Sequence, residues 1–246
     1  GNVNIDSSGN VCASGTFTTF GTSTFRNYTN VIGKVVNPTH RGKLLDSGAL
    51  SAPFLQAPKD VFVVGHLAYV TAGTEDAFEI IDVSDPVNPV HLGGVRDATN
   101  LNGAGSVQVV GRYAYVTVDA NLFTIIDVSD PRNHVVVSTL AHSEGSALLN
   151  SPIDVFVSGN YAYVVSTASD SLEIIDISNP HRPVHKGSVT NASTLDGAIS
   201  VYVQGKYAYV ANSFSNIVSI VDISNPTNPV ITGNIVSGSG TSAPAL

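Results

Sequence analysis

The feature that most constrains this chain is a string that recurs. Leu67-Ala68-Tyr69-Val70 returns as Tyr113-Ala114-Tyr115-Val116, as Tyr161-Ala162-Tyr163-Val164 and as Tyr207-Ala208-Tyr209-Val210. The second tyrosines lie 46, 48 and 46 residues apart, and Gly65, Gly111, Gly159 and Gly205 stand four positions before them. A second string follows in every copy: Ile80-Ile81-Asp82-Val83-Ser84-Asp85-Pro86, echoed from Ile125 to Pro131, from Ile174 to Pro180 and from Ile220 to Pro226. Self-similarity at a fixed period of this size marks a unit that cannot bury its apolar face alone and must stack on its neighbours.

Each copy predicts four short strands. In the first copy they are Val61–Val64, ended by the Gly65 turn, then Leu67–Thr71, Phe78–Val83 and, after the Asp-Pro turn, Val90–Val95. β-branched and aromatic residues fill these runs, while Gly, Pro, Asn and Asp fill the gaps. No window places apolar residues at helical spacing, which predicts almost no helix. A period of about 40–50 residues with four strands is the signature of a propeller blade. The expected fold is therefore all-β, a β-propeller of four-stranded antiparallel blades. A generic sandwich is the competing reading, and four copies of so long a motif argue against it.

Residues 1–56 read as a worn copy. Gly9-Asn10-Val11-Cys12-Ala13 resembles Gly159-Asn160-Tyr161-Ala162-Tyr163, and Asn37-Pro38-Thr39-His40-Arg41-Gly42 matches Asn88-Pro89-Val90-His91-Leu92-Gly93, but the Ile-Ile-Asp string is missing between them. The expectation is one five-bladed domain whose first blade is degenerate, with blades near 1–56, 57–103, 104–150, 151–197 and 198–246. The alternative is a segment of a larger propeller.

Composition narrows the function classes. Only 12% of the residues are charged, against about 25% in ordinary globular domains, so Ser, Thr, Asn and Gly must solvate the surface. The net charge of −8 argues against nucleic acid and anionic membranes, which need basic footprints. No apolar run reaches the roughly 18 residues of a spanning helix. The single cysteine, Cys12, excludes an internal disulfide and a cysteine-based zinc site and is expected to pack as a small apolar residue. No signal-peptide pattern opens the chain, and a Gly1 start suggests processing or trimming.

Gly-x-Tyr-Ala-Tyr-Val joined to Ile-Ile-Asp-Ile-Ser-Asn-Pro-x-x-Pro-Val resembles the LVIVD repeat, closely over residues 57–236 and loosely over 1–56. The resemblance implies a propeller and an exported protein, secreted or surface-attached, with no catalytic signature.

Asp82, Asp127, Asp176 and Asp222 each end a strand before a Ser-Asn/Asp-Pro turn. Carboxylates there accept bonds from turn N–H groups, so repetition by blade is read as architecture. The paired tyrosines are expected to fill the space between blades. Residues that differ between blades carry the functional information, because loops on a rigid scaffold are where binding lives. Asp60 and Asp154 stand where a first strand enters the channel, with Ser106 and Ser200 at equivalent positions; Asp76, Asp119 and Asp170 lie in loops between second and third strands. His142 and Glu144 form a loop pair. These seven acidic and histidine residues are the candidate ligand-binding set, on an acidic, polar channel mouth.

The expected role is a non-catalytic extracellular or cell-surface module for binding or assembly, its partner a protein, a surface glycan or other copies of itself. One alternative is a glycoside hydrolase-like enzyme using Asp60, Asp154, Asp76 and Asp119, with carboxylates about 5–10 Å apart; the absence of tryptophan removes the usual sugar platform. A second is a calcium-dependent glycan-binding module, although no Asp-x-Asp-x-Asp loop is present. No other cofactor is implied, and the histidines form no metal motif; His40, His91 and His185 share one repeat position and read as a solvated outer edge. Asn27-Tyr28-Thr29 and Asn191-Ala192-Ser193 are N-glycosylation sequons, which chance also produces in a chain rich in Asn, Ser and Thr.

Overall fold

Every copy of the repeat folds into one antiparallel four-stranded sheet. The computed structural model describes residues 3–5, 11–13, 43–44 and 53–236. Residues 1–40 form a unit of their own, in which β1 (Val3–Ile5) pairs with β2 (Val11–Ala13). Residues 14–42 and 45–52 of the worn copy, Asn27 and His40 among them, lie outside the described residues, as does the tail from 237 to 246; of Cys12 the backbone alone is described.

Blade I holds β3 (Pro58–Val64), β4 (Leu67–Ala72), β5 (Ala77–Asp82) and β6 (Val90–Arg96). Blade II holds β7 (Ala104–Val110), β8 (Tyr113–Val118), β9 (Leu122–Asp127) and β10 (Val135–Ala141). Blade III holds β11 (Pro152–Ser158), β12 (Tyr161–Ser166), β13 (Ser171–Asp176) and β14 (Val184–Thr190). Blade IV holds β15 (Ala198–Gln204), β16 (Tyr207–Asn212), β17 (Ile217–Asp222) and β18 (Val230–Val236). Strand order within each blade follows the sequence. A short 3-10 turn, Glu144–Ser146, is the helical exception among the described residues. The hairpin between first and second strands turns on a glycine at positive φ in every blade, Gly65, Gly111, Gly159 and Gly205, which a residue with a Cβ adopts only under strain.

The core lies between blades. Tyr69, Phe78 and Ile80 of blade I meet Val107, Val109, Ala114 and Val116 of blade II. Tyr115, Phe123 and Ile125 meet Val155, Val157, Ala162 and Val164 of blade III. Tyr163, Leu172 and Ile174 meet Val201, Val203, Ala208 and Val210 of blade IV. The same knobs enter the same sockets three times. Each fully buried Phe, Leu or Ile contributes about 1.5–3 kcal/mol, and these side chains lie in the junctions between blades. On the outward face of blade I, Leu44 and Leu55 pack against Ala68, Val70 and Ile81. The tyrosine pairs divide their labour. Tyr69, Tyr115 and Tyr163 are buried in the junctions, where burial pushes their hydroxyl pKa up. Tyr113, Tyr161 and Tyr207 are half-buried under the cations of Arg112, Lys186 and Lys206.

Candidate functional site

The inner end of each first strand carries a register shift, between Pro58 and Asp60, Ala104 and Val107, Pro152 and Asp154, and Ala198 and Ser200. A bulge re-aims the side chain it carries, and here it turns Asp60, Ser106, Asp154 and Ser200 toward a cavity of about 370 Å³ that Lys59 and Asp119 also line. Thr71 and Thr117 hold the bulges in place. The Thr117 hydroxyl oxygen accepts from Ser106 N at 2.8 Å and donates to Ile153 O of the next blade; Thr71 likewise accepts from Asp60 N and donates to Gly105 O.

The two channel carboxylates are filled with protein donors. Asp60 Oδ2 accepts Val107 N of blade II at 2.8 Å, and its Oδ1 accepts Val61 N. Asp154 Oδ2 accepts Val201 N of blade IV at 2.9 Å, and its Oδ1 accepts Val155 N. Between them stands Ser106, whose Oγ lies 3.1 Å from Asp60 Oδ2 and 2.9 Å from Asp154 Oδ1. Charge-assisted bonds of this kind stitch one blade to the next. Asp119 differs. It is exposed, and among the described residues no protein group donates to its carboxylate.

The remaining candidates lie at the blade junctions, away from this cavity. Asp76 and Asp170 sit at positive φ in their turns, and each Oδ1 accepts an N–H of the following loop, Gly103 N at 3.0 Å and Gly197 N at 3.3 Å. Asn121 holds the same place in blade II and accepts Ser151 N at 2.8 Å. His142 Nδ1 accepts Leu149 N, and Glu144 Oε2 accepts Ala141 N, so both fold their own loop. The turn aspartates each take the N–H of the serine two residues on, Ser84, Ser129, Ser178 and Ser224, at 2.8–3.0 Å. Those bonds depress their pKa, and the Arg112 guanidinium lowers Asp127 further, to about 2. Asn191 lies in an exposed loop, where its Oδ1 accepts Ser193 N and Thr194 N.

Sequence reasoning missed two buried acids. Glu79 and Glu173 stand inside apolar third strands with fully buried side chains. Glu79 pairs with His91 at 2.7 Å and Glu173 with His185 at 2.5 Å. These histidines therefore reach inward from the fourth strand, which corrects the expectation of a solvated outer edge. Each glutamate also accepts a backbone N–H of the linker entering its own blade, Phe54 N and Leu148 N, both at 3.0 Å. Burial pushes the Glu173 carboxyl up to about 7, against the pull of Leu148 N–H and His185. The signal was present in the sequence: a carboxylate directly before Ile-Ile-Asp cannot face water if both isoleucines belong to a central strand. Among the described residues, no three His, Cys, Asp or Glu side chains converge in metal-ligating geometry, and no helix is long and apolar enough to cross a membrane.

Four blades of one sequence pattern, stacked face on face, define a propeller built of repeats. The LVIVD repeat family matches four times, at residues 57–97, 103–140, 152–191 and 197–236, and the chain belongs to it. No curated protein matches the chain. Among solved structures, the chain is similar to a candidate 6-phosphogluconolactonase from Bacteroides uniformis ATCC 8492 (16% identity, TM-score 0.62, 79% of this chain and 59% of that one). A candidate 6-phosphogluconolactonase from Bacteroides fragilis NCTC 9343 aligns with TM-score 0.59 at 16% identity over 80% of this chain and 58% of that one. The periplasmic gluconolactonase of Pseudomonas aeruginosa aligns with TM-score 0.61 at 10% identity over 72% and 53%. At such identity the likeness is one of fold, and the chain spans less than two thirds of the length of each of these structures.

Proposed function

We propose that this LVIVD propeller is a non-catalytic module for binding and assembly, working outside the cell or at its surface. One observation carries the reading: Asp60 and Asp154, the carboxylates best placed for chemistry in the channel, are occupied by backbone N–H groups of the neighbouring blades. An acid or base must exchange its proton with a substrate, and a carboxylate with both oxygens bonded to the scaffold is poorly suited to that. The low charge content and the family's repeat support an exported location. The structural neighbours named as lactonases supply the reaction to test. Incubation of the full chain with gluconolactone, 6-phosphogluconolactone and aryl glycosides is expected to give turnover no faster than buffer. Hydrolysis that Asp119→Asn abolishes would overturn the reading, because Asp119 is the channel carboxylate without a protein donor.

A further inference from the structure

Both ends of the blade series present half of a junction. On blade I, Val61 and Val63 are 57% and 55% exposed, whereas their counterparts in blades II to IV, Val107 and Val109 among them, are at most 7% exposed. On blade IV, Tyr209 and Val218 are 36% and 38% exposed, whereas Tyr163 and Leu172 at the same positions of blade III are 4% and 0% exposed. The outward face of blade I is thus the socket side, and that of blade IV the knob side, of the interface the chain already builds three times; on blade I the Ala68 and Val70 half of the socket is covered by Leu44 and Leu55 of the same chain, and the Val61 and Val63 half is open.

Finer features agree. The fourth strand of one blade meets the Asp-Pro or Asn-Pro turn of the next. A Cβ on Gly93 would lie 2.9 Å from Pro131 O, and one on Gly187 would lie 2.8 Å from the Thr227 carbonyl carbon, while Ser138 donates to Pro180 O at 2.6 Å. At Gly233, the blade IV counterpart, a Cβ meets only Ile220 Cδ1 at 3.8 Å. Blade IV also carries a groove of about 340 Å³ lined by Ile199, Ile217, Val218 and Ile235. Its junction residues match those of blade II, Ser200 for Ser106 and Asn216 for Asn121, as blade I's Asp60 matches blade III's Asp154.

We propose that blade IV of one chain docks on blade I of a second copy, continuing the propeller head to tail across the molecular boundary. Over the open half of the socket the contact repeats the II–III junction: Tyr209 and Val218 enter between Val61 and Val63, the Asp85-Pro86 turn settles over Gly233, and Ser200 reaches Asp60 as Ser106 reaches Asp154, with Leu44 and Leu55 keeping their place on Ala68 and Val70. An interface between two different faces closes into a ring if its rotation allows and otherwise runs on as a filament. This deepens the assembly half of the function proposed above.

Sedimentation velocity on the full chain tests it with Val218→Lys, which spoils the knob face, and Val61→Lys, which spoils the socket. The parent is expected to associate with rising concentration, and each variant alone to stay monomeric. An equimolar mixture of the two is expected to form a dimer that grows no further, because each retains one intact face. Gly233→Leu, whose Cβ would meet nothing nearer than Ile220 Cδ1 at 3.8 Å, supplies a knob-side variant should Val218→Lys fail to fold. A parent that is monomeric at every concentration overturns the proposal, as do variants that associate like the parent or a mixture that stays monomeric. The two readings fail separately: a monomer without lactone turnover overturns only the docking, and an associating chain with turnover overturns only the non-catalytic assignment.

Discussion

Glu173 shows what one residue contributes and hides. The carboxyl of an unfolded glutamate loses its proton near 4.5, whereas the buried one holds it to about 7. Below the lower value both states are protonated and the group is neutral to stability. Between the two, the unfolded chain ionises first, so stability falls as pH rises, and the loss levels off above about 7. Melting temperatures of the parent and Glu173→Gln are expected to diverge across that window: the parent loses stability relative to the glutamine variant as pH climbs, and a constant offset would refute the assignment. The turn carboxylates stay clear of it, since Asp127 is held down to about 2. Those turn residues were legible because their partner is two residues away in sequence. The partners that tie Glu79, Glu173, Asp60 and Asp154 to other strands and blades are 12 to 48 residues away, and one unaligned sequence gives no measure of such distances.

Strands were legible for the same local reason. The four runs expected between Val61 and Val95 all form, and the structure extends most of them by a residue or more at their ends, to Pro58, Ala72 and Arg96, while the third closes at Asp82. The bulge at the start of every first strand was not legible, because a register shift leaves no mark in the alternation of apolar residues at the other end of the strand. A fourth strand is limited by how closely the next blade approaches. Gly187 lies against Pro226 and Thr227 backbone, which cannot yield as a flexible side chain would. Gly187→Ala is therefore expected to lower stability by about 1–3 kcal/mol, the usual penalty of overpacking, whereas Gly233→Ala should melt like the parent. Chemical denaturation of the two variants checks this, and equal midpoints would contradict the turn-on-glycine contact.

At the scale of the whole molecule, the periodicity announced the propeller, while the number of blades rested on residues 1–56, most of which lie outside the described residues. In a stack where each unit touches only its neighbours, stability is a sum of unit and junction contributions. Among the described residues, blade III has a blade on both sides and blade IV on one. Under dilute conditions the amides of β12 and β13 are expected to exchange with solvent more slowly than those of β16 and β17, and the gap should narrow as concentration rises. Uniform exchange across both blades would show that the knob face of blade IV is already covered within one chain.

The alternation of junction residues also sets which blades are interchangeable. Asp60 and Asp154, Asp76 and Asp170, Glu79 and Glu173, and His91 and His185 all stand 94 residues apart, and Ser106 and Ser200 keep the same interval. Within blades I to IV, adjacent blades do not share these residues and alternate blades do. The four blades therefore fall into two like pairs, I with II and III with IV, the first member of each carrying the aspartate and the glutamate–histidine lock and the second the serine. Only an even step along the stack returns each of these side chains to a neighbour of the type it meets elsewhere, so exchanging single blades would break the stitches that exchanging pairs would keep.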